Sequence, residues 1–148
     1  SSDLGAVGFL QAAGMQHLRH VQIDCHNEYA AIVLVALDDK PLAESGRVLV
    51  QIGTEARPTG WKTEPVTFKP SKQQTPVEGR KIVAVGKLPW RVMAGRGSIR
   101  LKNGRLRRAR LLGSDFRLLR ELALTIGDKD VVLPLPGDGI HILLDAGE

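Results

Sequence analysis

The class this sequence predicts is all-β: a two-sheet antiparallel β-sandwich, jelly-roll-like, with at most short helical turns. Three observations predict it. Short apolar runs recur along the chain, rich in β-branched residues and bounded by Gly, Pro, Asn and Asp. No long stretch carries clean helical periodicity. The runs return roughly every 8–12 residues, the spacing of a sandwich or barrel.

Taken in order, residues 5–10 and 18–25 are the first strand candidates, the second with Leu18, Val21 and Ile23 as its apolar positions. Residues 29–37 are the strongest. Ala30, Ile32, Val33, Leu34 and Val35 are nearly continuous, as in a strand buried on both faces or central in its sheet. Asp38-Asp39-Lys40-Pro41 ends it, because Asp favours turns and Pro41 cannot donate to a ladder. Residues 42–45 fit one helical turn. In residues 47–53, Val48, Val50 and Ile52 alternate with Arg47, Leu49 and Gln51. Residues 54–79 hold four of the eight prolines, Pro58, Pro65, Pro70 and Pro76. That density predicts a long irregular surface excursion, broken at most by a short edge strand.

Regular structure is expected to resume at Arg80, with strands at 81–85, 90–93, 98–102, 105–112, 118–125, 130–133 and 139–144. Asn103-Gly104 is the strongest short hairpin signal, and residues 127–130 and 136–139 are turn-like. Residues 116–124 also fit a helix, since Leu118, Leu119, Leu122 and Ala123 have helical spacing. The expected core contains Ile32, Val33, Leu34, Val35, Val48, Val50, Trp90 and Leu143.

The 148 residues fit a single sandwich domain, 1–148, able to bury a core without staples. Ser1-Ser2-Asp3 has neither a starting Met nor the basic and apolar regions of a signal peptide, so a fragment of a longer multidomain chain is expected. No apolar run approaches the ~20 residues that cross a membrane as a helix, and no membrane partner is expected. Cys25 is the single cysteine, which excludes an internal disulfide and a cysteine-based metal site. The net charge of +5 favours anionic partners. Its excess reads as concentrated at Arg105, Arg107, Arg108 and Arg110, either a solvated strand face or a nucleic-acid-binding strip. Few aromatics interleave with those arginines, which argues against nucleic acid as the partner.

No constellation for catalysis emerges. Ser45 and Ser98 lack a nucleophile elbow, and most acidic residues fall at turns rather than as a pair across a cleft. Gly95-Arg96-Gly97 is no dinucleotide loop. Asp24, Cys25, His26 and Glu28 form the densest group of potential ligands, but Cys25 would point away from Asp24 and His26 along a strand, and a turn is the expected role. No metal and no cofactor are expected. Aromatics are scarce, at 4%. Trp61, within Arg57-Pro58-Thr59-Gly60-Trp61-Lys62, is the best platform for a sugar face, with Arg57 and Lys62 as hydrogen-bond donors beside it; its alternative role is an anchor tucked into the sandwich edge. Trp90 reads as core.

Several segments together resemble a domain found after the catalytic barrel in large bacterial glycoside hydrolases. They are residues 5–9, 27–30, 37–45, 47–54, 57–61, 89–92, 132–136 and 140–144. The most specific stretch, 37–61, includes Leu37-Asp38-Asp39-Lys40-Pro41-Leu42-Ala43-Glu44-Ser45 and Arg57-Pro58-Thr59-Gly60-Trp61. The resemblance implies a non-catalytic accessory sandwich that packs on the barrel of its parent enzyme, with or without polysaccharide affinity, secreted or periplasmic with that enzyme. It carries no catalytic residue onto this chain. Residues 112–119 depart from the pattern, since Gly113-Ser114-Asp115-Phe116 only partly supplies the glycine-centred turn such a domain would have there, and the basic run Arg105–Arg110 is heavier than usual.

Overall fold

The structure, a computed structural model, describes residues 3–69 and 75–147. Ser1, Ser2 and Pro70 of the sequence reading lie outside them. Among the described residues the order is β1 (Asp3–Gly8), α1 (Leu10–Ala13), β2 (Gln16–His17), β3 (Val21–Cys25), β4 (Ala30–Ala36), β5 (Arg47–Thr54), β6 (Ala56–Thr59), β7 (Lys62–Phe68), β8 (Val77–Ala84), β9 (Lys87–Val92), β10 (Gly97–Leu101), β11 (Arg108–Leu112), β12 (Leu118–Leu122), β13 (Thr125–Ile126), β14 (Val131–Pro134) and β15 (His141–Asp145). The chain forms two compact units: Ser1–Glu55 with Met93–Glu148, and Ala56–Val92.

The first unit is an antiparallel β-sandwich. One sheet has the order β1-β4-β5-β15-β11-β12 and the other β13-β14-β10-β3-β2. Period-two alternation drives it: Ala30, Ile32 and Leu34, or Val48, Val50 and Ile52, point inward and meet Val21, Ile23, Ile99, Leu101, Val131 and Leu133 from the facing sheet in one buried cluster. Ile32, Leu34, Val48, Val50 and Leu143 are buried as the pattern predicts. Val33 and Val35 are not; they are half-buried. β4 is central in its sheet, yet a sandwich has only two layers, so every second side chain faces outward.

Residues 118–122 form the strand expected there rather than the alternative helix, paired with β11 from Ala109↔Leu122 onward. Residues 42–45 close the single turn expected, with the N–H groups of Glu44 and Ser45 both donating to the Pro41 carbonyl. One local expectation is corrected. Asn103-Gly104 does not close a hairpin, because β10 pairs with β3 and β14 while β11 pairs with β15 and β12. The chain crosses between sheets there. Asn103 is buried, its amide donating to the carbonyls of Leu42 (2.7 Å) and Ser45 (2.8 Å) while its oxygen accepts from the Arg105 N–H. The Leu37–Ser45 segment of the family resemblance is therefore a structural plug: Leu42 is fully buried, and Asp38 accepts from the Gly46 N–H at 2.7 Å.

The second unit is not the irregular excursion expected from its prolines. It is a long two-stranded ribbon in which β6 pairs with β9 and β7 with β8. A lone pair of strands has an unpaired edge on each side, so proline is tolerated where it would break a wider sheet. Pro58 stands opposite Trp90 and Pro65 opposite Arg80. The ribbon bends where Gly60 (φ 85°) and Gly86 (φ 74°) approach each other. A Cβ on Gly86 would lie 2.5 Å from the Thr59 carbonyl oxygen, so only glycine fits.

Candidate functional site

The ribbon carries the residues that the sequence singled out. Its first strand ends in a turn, with the Trp61 N–H donating to the Pro58 carbonyl at 3.1 Å. That turn returns Trp61 toward Arg57, whose guanidinium lies over the indole 5.3 Å from the ring centroid. Trp61 is half-buried, whereas Arg57 and Lys62 are exposed. Arg57 and Trp61 are thus brought together, and the guanidinium covers one face of the ring. Lys62 follows at the start of β7, opposite Ala84.

Trp90 is misplaced by the core expectation: it is 58% exposed. In the β6–β9 register, Ala56 faces Val92, Arg57 faces Arg91 and Pro58 faces Trp90. Directly opposed residues share a face, and neighbours along a strand alternate. Ala56, Pro58, Trp90 and Val92 therefore line one face, Arg57 and Arg91 the other. The signal was present in Lys87-Leu88-Pro89-Trp90-Arg91-Val92, which alternates as a ribbon strand does, but a two-layer reading assigned its apolar half to a core.

The basic excess is also relocated. Residues 56–92 contain eight basic and two acidic residues, a surplus of six, which leaves the rest of the chain with a net charge of −1. The Arg105–Arg110 strip is engaged within the sandwich. Arg108 Nε donates to Asp145 Oδ1 at 3.0 Å, and Arg110 Nη2 lies 2.8 Å from Asp145 Oδ2. Arg107 donates to the Leu106 carbonyl. Burial alone would raise the Asp145 carboxyl, but the Gly147 N–H and the two guanidinium groups outweigh it and hold that carboxyl below its ordinary range.

The ligand cluster around Cys25 is local structure. Cys25 is buried with its thiol toward the Asn27 side chain, and His26 Nε2 lies 3.1 Å from Asp24 Oδ1. Asn27, also buried, bonds both the Ala94 carbonyl and the Arg96 N–H, fixing the segment that leads into β10. Among the described residues no group of three or more His, Cys, Asp or Glu side chains could hold a metal ion. No helix among them is long and apolar enough to cross a membrane.

A second exposed feature lies on the outer face of the six-stranded sheet. Register places Val7, Ala31, Val33, Val35, Leu49, Leu112 and Leu118 on that side, together with Arg47, Gln51, Arg108, Arg110, His141 and Asp145. A shallow depression there is lined by Ala31, Val33, Gln51, Gly53, Ile140 and His141. Phe116, at φ 59°, stacks on His141 with ring centroids 4.8 Å apart and extends the apolar rim.

Compared with known proteins, the chain matches no family model, no curated protein and no solved structure.

Proposed function

We propose that the chain is a non-catalytic accessory module of a polysaccharide-degrading enzyme, packing on the catalytic domain of its parent through the outer face of the six-stranded sheet. The observation that carries this reading is the apolar centre of that face. A solvated sandwich sheet alternates apolar-in and polar-out, whereas here Ala31, Val33, Val35 and Leu49 occupy outward positions on β4 and β5, bordered by Arg47, Gln51, His141 and Arg110. An apolar patch rimmed by polar residues is a feature of interaction surfaces. The alternative, a nucleic-acid-binding domain using the Arg105–Arg110 strip, is weakened by the pairing of Arg108 and Arg110 with Asp145.

The test is made in the native polypeptide that contains this chain. A catalytic barrel with paired carboxylates is expected upstream, and the double variant Val33→Lys/Leu112→Lys should expose the module to proteolysis there while leaving the isolated chain folded. A native polypeptide without such a catalytic domain removes the reading. So does turnover of polysaccharide by the isolated chain that is abolished by one carboxylate substitution.

A further inference from the structure

At one end of the sandwich four stretches of chain converge: the exit of β1, the entry to β4, the end of β5 and the approach to β10. Gln11, Glu28, Tyr29, Glu55, Met93 and Arg96 line a small pocket between them, together with the buried Asn27. Asn27 ties the stretches to one another. Its amide donates to the Ala94 carbonyl and its side-chain oxygen accepts from the Arg96 N–H, each at 2.8 Å, while its backbone carbonyl accepts from the Gln11 N–H at 3.1 Å. Arg96 Nη2 donates in turn to the His26 carbonyl at 3.0 Å. The walls are thus held before any ligand arrives, and groups already held lose little freedom on binding. Phe9 and Tyr29 continue the β1–β4 pairing one step beyond Gly8↔Ala30, and their rings meet edge to face with centroids 5.5 Å apart. Core packing does not account for that pair, since Tyr29 is 40% and Phe9 65% exposed.

The polar groups of the pocket are of both kinds. Gln11 and Glu28 are exposed, and neither side chain has a hydrogen-bond partner among the described residues. Arg96 has used one of its five N–H donors. Glu55 is already engaged within the protein, which leaves Glu28 as the open carboxylate. A carboxylate only accepts, a guanidinium only donates and an amide does both. An anionic ligand would meet Glu28, and a cationic one would meet Arg96. A hydroxyl both donates and accepts, so a neutral molecule with several hydroxyls satisfies Glu28, Arg96 and Gln11 together. The exposed Tyr29 ring suits an apolar face on the same molecule. A sugar ring carries both, with hydroxyls round its edge and C–H groups on its face. The pocket measures about 130 Å³, below the ~300–1,000 Å³ of sites that take drug-sized ligands, which limits it to about one ring.

We propose that this pocket binds one neutral sugar unit of a polysaccharide, with Tyr29 stacking on the ring face and Glu28, Arg96 and Gln11 bonding its hydroxyls. The proposal deepens the accessory-module reading, and it rests on that reading for a polymer as the source of the sugar. The test is a nuclear magnetic resonance titration of the full chain with cellotriose, xylotriose, mannotriose and galactotriose, with trigalacturonate and glycerol as controls. At least one neutral trisaccharide should shift the amide signals of residues 27–29 and 94–96 saturably, and bind more tightly than either control. Glu28→Ala and Tyr29→Ala should each weaken that binding about tenfold, the size of one hydrogen bond to a charged group or one ring contact, with signals elsewhere unchanged. Gln11→Ala, which removes only an exposed amide, should weaken it too and serves where Tyr29→Ala disturbs the end of the β1–β4 pair. Trp61→Ala on the ribbon should leave it intact. Equal or tighter binding of trigalacturonate or glycerol overturns the proposal, because the pocket would then select charge or nothing at all. Loss of binding in Trp61→Ala with Glu28→Ala unaffected overturns it by moving the sugar to the ribbon. No saturable shift with any neutral trisaccharide overturns it as well, and the proteolysis experiment in the native polypeptide then decides the accessory-module reading separately.

Discussion

Two β structures in one chain use the same kinds of residue in opposite ways. In the sandwich, Ile32, Leu34, Val48 and Val50 are wholly buried. In the ribbon, Leu88, Trp90 and Val92 are 77%, 58% and 60% exposed, although they alternate with polar neighbours just as regularly. Charge divides as sharply, with a surplus of six in the ribbon and a deficit of one elsewhere. The difference teaches that alternation specifies a strand, while burial depends on whether a second layer covers it. A strand's own sequence states the first and is silent on the second.

Core truncation should give the largest contrast. Leu111 is buried among both sheets, and Gly139 packs so closely on it that an added Cβ would lie 2.6 Å from its Cδ1. Leu111→Ala should therefore cost about 2–5 kcal/mol, the range for a buried leucine whose cavity refills poorly. Ile82→Ala on the ribbon, where Ile82 is half exposed, should change stability by no more than ~0.5 kcal/mol. Chemical denaturation of both variants measures the pair. Equal losses would mean that the ribbon has a core of its own.

A smaller, pH-limited effect comes from Asp145. Its folded-state carboxyl is held below the ordinary value of 3.8. The stabilisation is therefore complete above the unfolded-state pKa and is lost as pH falls through the lower folded-state value. Wild type should lose stability on acidification more steeply than Asp145→Asn, and the variant should be the less stable of the two at neutral pH, where Arg108 and Arg110 would face each other without their carboxylate. Glu64→Gln, at an exposed ribbon position, is the matched control and should leave the acid limb as it is. Thermal melts from pH 2 to 7 compare the three. Superimposable acid limbs for wild type and Asp145→Asn would show that the arginine pairing contributes nothing to folding.

The sandwich was legible because its information is local. Val48, Val50 and Ile52 need only their own alternation to declare an inward face. Asn103 misled for the opposite reason: its partners Leu42 and Ser45 lie 61 and 58 residues away. Asn-Gly looks the same whether it closes a hairpin or crosses between sheets. The prolines misled because their penalty depends on neighbours that a two-stranded ribbon does not have. At the candidate site, the proximity of Arg57 and Trp61 could be read from their separation across a proline-glycine turn. The facing of Arg57 and Arg91 could not, since it rests on a pairing that joins residues 34 positions apart. The charge of residues 56–92 was countable all along, but only once the ribbon's limits were known.

The smallest expected effect tests the division itself. At the two ends of the ribbon, within the sandwich, the Met93 N–H donates to the Glu55 carbonyl at 2.9 Å, and the Thr54 hydroxyl donates to the Met93 carbonyl. These bonds hold the two chain ends side by side, so residues 56–92 can be replaced by a two-residue Asn-Gly turn of the kind that joins adjacent antiparallel strands. Shortening a loop also lowers its closure entropy, by ~0.6 kcal/mol for each halving of length. The shortened chain should thus unfold in one cooperative step, with stability equal to the parent or up to ~2.5 kcal/mol higher by that scaling. It should also have lost the basic surplus of residues 56–92. A fall of more than ~1 kcal/mol, well beyond the ~0.5 kcal/mol usual for surface changes, would mean that the sandwich draws stability from residues 56–92, and that the contrast between a self-sufficient core and an exposed ribbon is misdrawn.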